Sequence, residues 1–212
     1  MTSHYGVGAR VVRRLGREGF RSTLISRGGA LEQLVGELRA EVLEIEAVAA
    51  DIEDLGGYRT TLERIFQGPG GPGVVVYNAA SPDPGEILDT TVGRLRRAYD
   101  VDVIGAVVAG QVAASVLRTP GAGTLLFTSG GFADHPVPAL ASLSMGKAAL
   151  RSSGDSDRRR CPGGRHPCRN HHDRGLGRAW DSVLSGQDRR ALWTAHTDPT
   201  DAWQTEYRYT GA

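Results

Sequence analysis

Apolar positions along residues 4–150 switch repeatedly between helical and strand periods. Val7, Val11, Val12 and Leu15 fall at helical spacing, and Gly19 closes that helix. Residues 22–26 (STLIS) predict a short strand. Leu31, Leu34, Val35 and Leu38 predict a second amphipathic helix. Residues 42–50 predict a strand that runs into Asp51, and 58–66 predict a helix. Gly73 to Tyr77 (GVVVY) is an unbroken apolar run, the pattern of a strand buried on both faces. Two helical stretches fill 92–118, and 124–128 is another buried strand. Such alternation predicts an α/β fold, a parallel sheet with helices on both faces.

After residue 150 the pattern is lost. Arginine crowds 151–190, which also holds Cys161, Cys168, His166, His171 and His172. Almost no apolar periodicity survives there, so little buried surface offsets the entropy of ordering. The segment therefore reads as disordered. Its excess of Arg, Gly, Pro, Cys and His also resembles a GC-rich gene read out of frame. Residues 191–212 recover aromatics and read as a C-terminal tail. The thiols and imidazoles could ligate zinc, but their spacing fits no standard knuckle, so no metal site is expected.

The remaining composition bounds the function. A chain of 212 residues suits one domain with a sizeable core. A net charge of +1 gives no case for nucleic acid or acidic partners. No apolar run approaches the roughly 20 residues of a membrane span. No signal peptide opens the chain, and two cysteines make no disulfide framework. These absences lead to the expectation of a cytoplasmic protein.

Several residues could carry chemistry. Gly6 and Gly8 stand where a glycine-rich turn opens the first helix. Glycine lets backbone approach a phosphate, which the helix N-terminus binds through free N–H groups. A plain helix cap is the alternative. Arg27 follows the first predicted strand, where a cation suits a 2′-phosphate and an acid suits a bare ribose. A solvated loop arginine is the alternative there. Asp51 competes as an N-cap for the helix that follows. Asn78 and Ala79 end the most hydrophobic strand. Asp102 lies in YDVDVIGA, where it could simply be a polar residue at a helix kink.

The segment TLLFTSGGFADHPVPALASLSMGKAAL is the most specific. It runs from a buried strand to Ser129, through a Gly/Pro loop, to a helix carrying Lys147. That order resembles the active-site layout of the short-chain dehydrogenases/reductases, and the resemblance covers about residues 3–150. It implies a Rossmann-type doubly wound parallel sheet, here incomplete: the first strand and a late strand are missing or disrupted. It also implies hydride transfer between NADP(H), or NAD(H), and a small carbonyl or alcohol, and possible homo-oligomers.

Residue by residue, the resemblance gives Gly6 and Gly8 the last two glycines of the family turn, with Thr2 in place of the first. Asp51 would bind the adenine amino group. Asn78 and Ala79 match the family's Asn-Asn-Ala-Gly element, and Tyr77 and Ala80 depart from it. Asp102 replaces an asparagine that holds a relay water. Ser129 would polarise the carbonyl, though a shift of one residue would put Gly130 there. Lys147 would hold the nicotinamide ribose. The family's tyrosine, one helical turn before that lysine, is Leu143. Tyr77 and Tyr99 are the nearby phenols, and nothing in the sequence places either at a reacting carbon.

Overall fold

In the computed structural model, the described residues are 6–41, 43–117, 123–129, 131–157, 177–179, 193–194, 196–197 and 206–207. The element order is α1 (Val7–Arg17), β1 (Ser22–Ser26), α2 (Ala30–Ala40), β2 (Ile45–Ala49), α3 (Leu55–Phe66), β3 (Val74–Tyr77), α4 (Val92–Tyr99), a π-helical turn (Asp100–Ile104), α5 (Gly105–Val116), β4 (Thr124–Thr128), a 3-10 turn (Gly131–Ala133), α6 (Ala141–Asp157), β5 (Gly177–Ala179) and β6 (Glu206–Tyr207).

All strand pairings are parallel, as the alternation predicts, but they fall into two sheets. One is β1-β2 and the other is β3-β4-β5-β6. Among the described residues no strand lies between β1 and β3. The structure thus bears out an incomplete α/β fold. It also explains one difference from the sequence reading. Gly73–Tyr77 has the composition of a doubly buried strand, yet Val74, Val75 and Val76 are only half-buried. Among the described residues their ladder is made on one side, to β4. Strand β4 has neighbours on both sides and is buried throughout.

Helices cover both faces. Leu24 of β1 packs with Val12, Leu31, Val35, Leu38 and Ile45, the cluster built by α1 and α2. Its neighbour Ile25 packs with the larger cluster of Tyr58, Leu62 and Phe66 from α3, Val112 from α5, and Phe127 from β4. Successive strand residues point to opposite faces, so these clusters lie on opposite sides of the sheet. The start of α1 stands over the end of β3: a Cβ on Gly8 would lie 3.6 Å from Asn78 Nδ2. At the other end, a Cβ on Gly73 would lie 3.2 Å from the Phe20 ring. The start of α1 and the Phe20 ring beyond its end thus approach opposite ends of β3.

The two helical stretches expected in 92–118 form one continuous helix, interrupted by the π-turn at Asp100–Ile104. Val92–Val116 has the length and composition of a membrane span, although the sequence holds no apolar run that long. Half of its most apolar window is buried inside the fold. Beyond residue 150, α6 continues to Asp157. Short strand β5 falls within the arginine-rich segment and pairs with β4. Cys161, His166, Cys168, His171 and His172 lie outside the described residues. Trp193 and His196 pack edge-on against Phe20, with Arg14 over the Trp193 ring at 4.5 Å.

Candidate active site

Parallel strands end at one edge of a sheet, and loops leaving that edge are where α/β folds bind ligands. The ends of β1, β2, β3 and β4 bring Arg27, Asp51, Asn78-Ala79 and Ser129 to that edge. Helix α6 then adds Lys147.

Lys147 is the anchor. It is 4% exposed. Its Nζ donates to the Thr128 carbonyl at 3.2 Å and to the Ala79 carbonyl at 3.4 Å, tying the ends of β4 and β3 to α6. Burial pushes its pKa below the usual lysine range, and the charge of Asp102 opposes that shift. Strand ends β3 and β4 are also joined directly, since Thr128 Oγ1 donates to Asn78 Oδ1 at 2.9 Å. Ser129 Oγ, next to Thr128, is buried and has no hydrogen-bond partner. An orphaned buried hydroxyl is costly, and a ligand oxygen is one way to satisfy it.

Asp102 is fully buried. Its Oδ1 accepts from the Ser81 N–H at 2.8 Å, and its Oδ2 has no partner. Burial raises its pKa to about 6, against the opposing effects of the Ser81 N–H and the Lys147 charge. The residue sits in the π-turn, where the helix departs from α geometry. One backbone carbonyl of that turn, Val101 O, accepts from the buried Tyr77 hydroxyl. This settles what Tyr77 does: its phenol supports the turn. Tyr99 is partly exposed.

Leu143 is buried at the position where the resemblance expects tyrosine. Ser144 offers no substitute, because its Oγ donates to Leu140 O and accepts from Val137 N–H. The peripheral candidates differ in setting. Gly6 caps α1 without a side-chain hydrogen bond, and a Cβ there would meet open space. Arg27 is exposed and ion-paired with Glu53 at 3.0 Å. Asp51 is not the cap of α3. That cap is Asp54, which accepts from Gly57 N, whereas Asp51 accepts from Glu53 N within its own loop.

Sequence reasoning missed Ser81, Thr128, the Tyr77 hydroxyl and Gly146. Only Gly146 carried a usable signal, since a glycine inside a helix is unfavourable without a packing reason. The reason is close approach: a Cβ there would lie 2.6 Å from Asp102 Cβ and 3.0 Å from Oδ2. Gly146→Ala is therefore expected to destabilise the protein by about 1–3 kcal/mol. A denaturant midpoint equal to wild type would show that α6 can shift away from the π-turn.

Residues 2–156 match the family described as short chain dehydrogenase. Dehydrogenase/reductase SDR family member 4 of Sus scrofa is 26% identical over 147 residues, covering 68% of this chain and 53% of its own length. The chain thus spans about half the length of that curated relative. A short-chain dehydrogenase from Rhodopseudomonas palustris matches with a TM-score of 0.80 at 20% identity, over 97% of this chain and 93% of that one. An alcohol dehydrogenase from Thermococcus sibiricus, solved with 5-hydroxy-NADP, matches with a TM-score of 0.78 at 17% identity, over 96% and 91%. At these identities the likeness shows the Rossmann-type fold.

Proposed function

Because the chain belongs to the short chain dehydrogenase family, we propose that it is an NADP(H)-dependent oxidoreductase interconverting a small carbonyl compound and its alcohol. One observation carries this reading. The Ser129 hydroxyl is buried without a partner immediately after Thr128, whose carbonyl holds Lys147. A donor left free at that point suits a substrate oxygen gaining negative charge.

The residues present fit a dinucleotide. The first turn of α1 offers backbone N–H groups to a pyrophosphate, and Gly6 and Gly8 leave room for it. Asn78 and Ala79 would line the adenine-ribose side, and Asp51 is exposed at the end of β2, free at one oxygen for an amino group. Lys147 would hold the nicotinamide ribose. A bound nicotinamide dinucleotide supplies the hydride. Arg27 supplies the cation for a 2′-phosphate, which would draw it from Glu53. NAD leaves that ion pair intact and is the alternative cofactor.

Leu143 favours a second reading, a relative that binds the dinucleotide without turning over. Thermal melts with NADPH and with NADH separate the readings. At a hundred times its Kd, NADPH adds about 2.7 kcal/mol of stability, or roughly 5–10 °C for a chain of this size. No rise with either dinucleotide sinks both readings. A rise without oxidation of NADPH by any of a panel of aldehydes and ketones selects the second.

A further inference from the structure

We propose that the Asp102 carboxyl is the proton store for carbonyl reduction at this site, replacing the phenol that Leu143 removes. The inference rests on the oxidoreductase reading above and adds the origin of its proton.

The geometry carries it. Asp102 is one of the most completely buried side chains among the described residues. One oxygen is held by Ser81 N–H, and the other faces no donor. A buried carboxylate oxygen without a donor is strongly disfavoured. The same oxygen carrying a proton becomes a hydroxyl able to donate to a water or a ligand. Its surroundings fix it in place. Tyr77 supports the π-turn, Gly146 lets α6 close on it, and Lys147 is the next residue of α6. Lys147 and Asp102 clamp one short loop from two sides, through Ala79 O and Ser81 N. The second orphaned atom of the site, Ser129 Oγ, follows the other carbonyl that Lys147 holds.

The step balances. A bound nicotinamide dinucleotide would supply hydride to the carbonyl carbon and be oxidised, and the π pair would move to the carbonyl oxygen. That oxygen would take the proton of the Ser129 hydroxyl as the Asp102 O–H bond breaks to restore it, through a bridging water between the two partnerless oxygens. The carboxylate then recovers a proton from solvent. Asp102 acts through Ser129 and is thus a positioning residue with a proton to give.

Among the described residues, Lys147 is the charged group that acts on Asp102. Lys147 reaches it from α6, and the Tyr77 phenol from β3. Burial holds the Tyr77 pKa above the ordinary phenol range, so it stays neutral. Helix α5 carries no titratable side chain. On α4, Arg94 is engaged by Asp83.

Asp102→Asn tests the proposal, since asparagine keeps the acceptor for Ser81 N–H and lacks an acidic proton. NADPH-dependent reduction is expected to fall by roughly 10²–10⁴-fold. The wild-type rate should decline as pH rises through about 6, and the variant should lack that step. Melts of the ligand-free proteins give a reading independent of turnover. A carboxyl pKa raised on folding gives stability that is full below the unfolded value of 3.8 and is lost as pH rises through about 6. Relative to the variant, the wild-type folding constant should drop by about a hundredfold across that window. Parallel melts overturn the proton store alone. A variant with the wild-type rate and pH profile also overturns it. Divergent melts with no reduction of any carbonyl overturn the role in turnover and the oxidoreductase reading with it. If Asp102→Asn does not fold, the wild-type profile decides: a rate flat through pH 6 overturns the proposal.

Discussion

Lys147→Met is expected to remove the NADPH-dependent rise in melting temperature and to cut carbonyl reduction by roughly 10²–10³-fold, while the ligand-free protein still melts cooperatively. The two effects separate because the lysine does opposing things. Its ammonium is buried with two carbonyl acceptors, so the fold bears a desolvation cost for the charge. Methionine has a similar length, carries no charge and relieves that cost, as apolar replacements of buried ions often do. It also leaves the Ala79 and Thr128 carbonyls without their donor, which costs about 1–3 kcal/mol. The net change in the free protein is therefore small, and the loss falls on ligand binding. The pH dependence has a definite sign. The folded pKa of Lys147 lies below its unfolded value, so the unfolded chain binds the extra proton between them. Wild type should gain on the methionine variant as pH rises toward the ordinary lysine range. A variant that keeps the full NADPH shift would mean that Lys147 only ties α6 to the strand ends.

Much of this arrangement is legible in the sequence because it depends on local pattern. Ser22–Ser26 and Thr124–Thr128 appear at the residues expected, since short apolar runs between turn signals leave little freedom. The order of strand, Ser129 and helix lysine also follows from chain order. What the sequence hides is set by partners far along the chain. The half-exposure of Val74, Val75 and Val76 goes with an edge that has no partner among the described residues, which no property of GVVVY encodes. Asp54 rather than Asp51 caps α3, although both are acids in one short loop, because helix start is decided by which N–H the side chain reaches. Arg27 looks free in sequence, and its partner Glu53 becomes a neighbour only when β1 and β2 pair. The Tyr77–Val101 bond and the Gly146–Asp102 contact each join separate elements at the π-turn. The environment that sets the charge of Asp102 is thus a tertiary property.

Leu143→Tyr is expected to raise carbonyl reduction by roughly 10²–10⁴-fold at a pH about two units above the Asp102 pKa, where only ~1% of that carboxyl keeps its proton. Position 143 lies one helical turn before Lys147, so a side chain there shares the lysine's face of α6. The leucine is buried, and the larger ring costs about 1–3 kcal/mol in overpacking. A phenol beside the Lys147 ammonium is easier to ionise than a free one, which suits it to give a proton and regain it. Below the Asp102 pKa the gain should shrink, because the carboxyl already supplies the proton there. The two donors would then act over different pH ranges of one site. Asp102→Asn placed on top of Leu143→Tyr should cost far less rate than Asp102→Asn alone, a non-additivity expected of groups serving one step. Measuring NADPH oxidation by the single and double variants across pH decides the matter. Equal losses from Asp102→Asn in both backgrounds would show that the phenol is not reaching the oxygen that Asp102 serves. The reacting carbonyl would then lie away from this turn of α6, nearer Ser129 than Leu143.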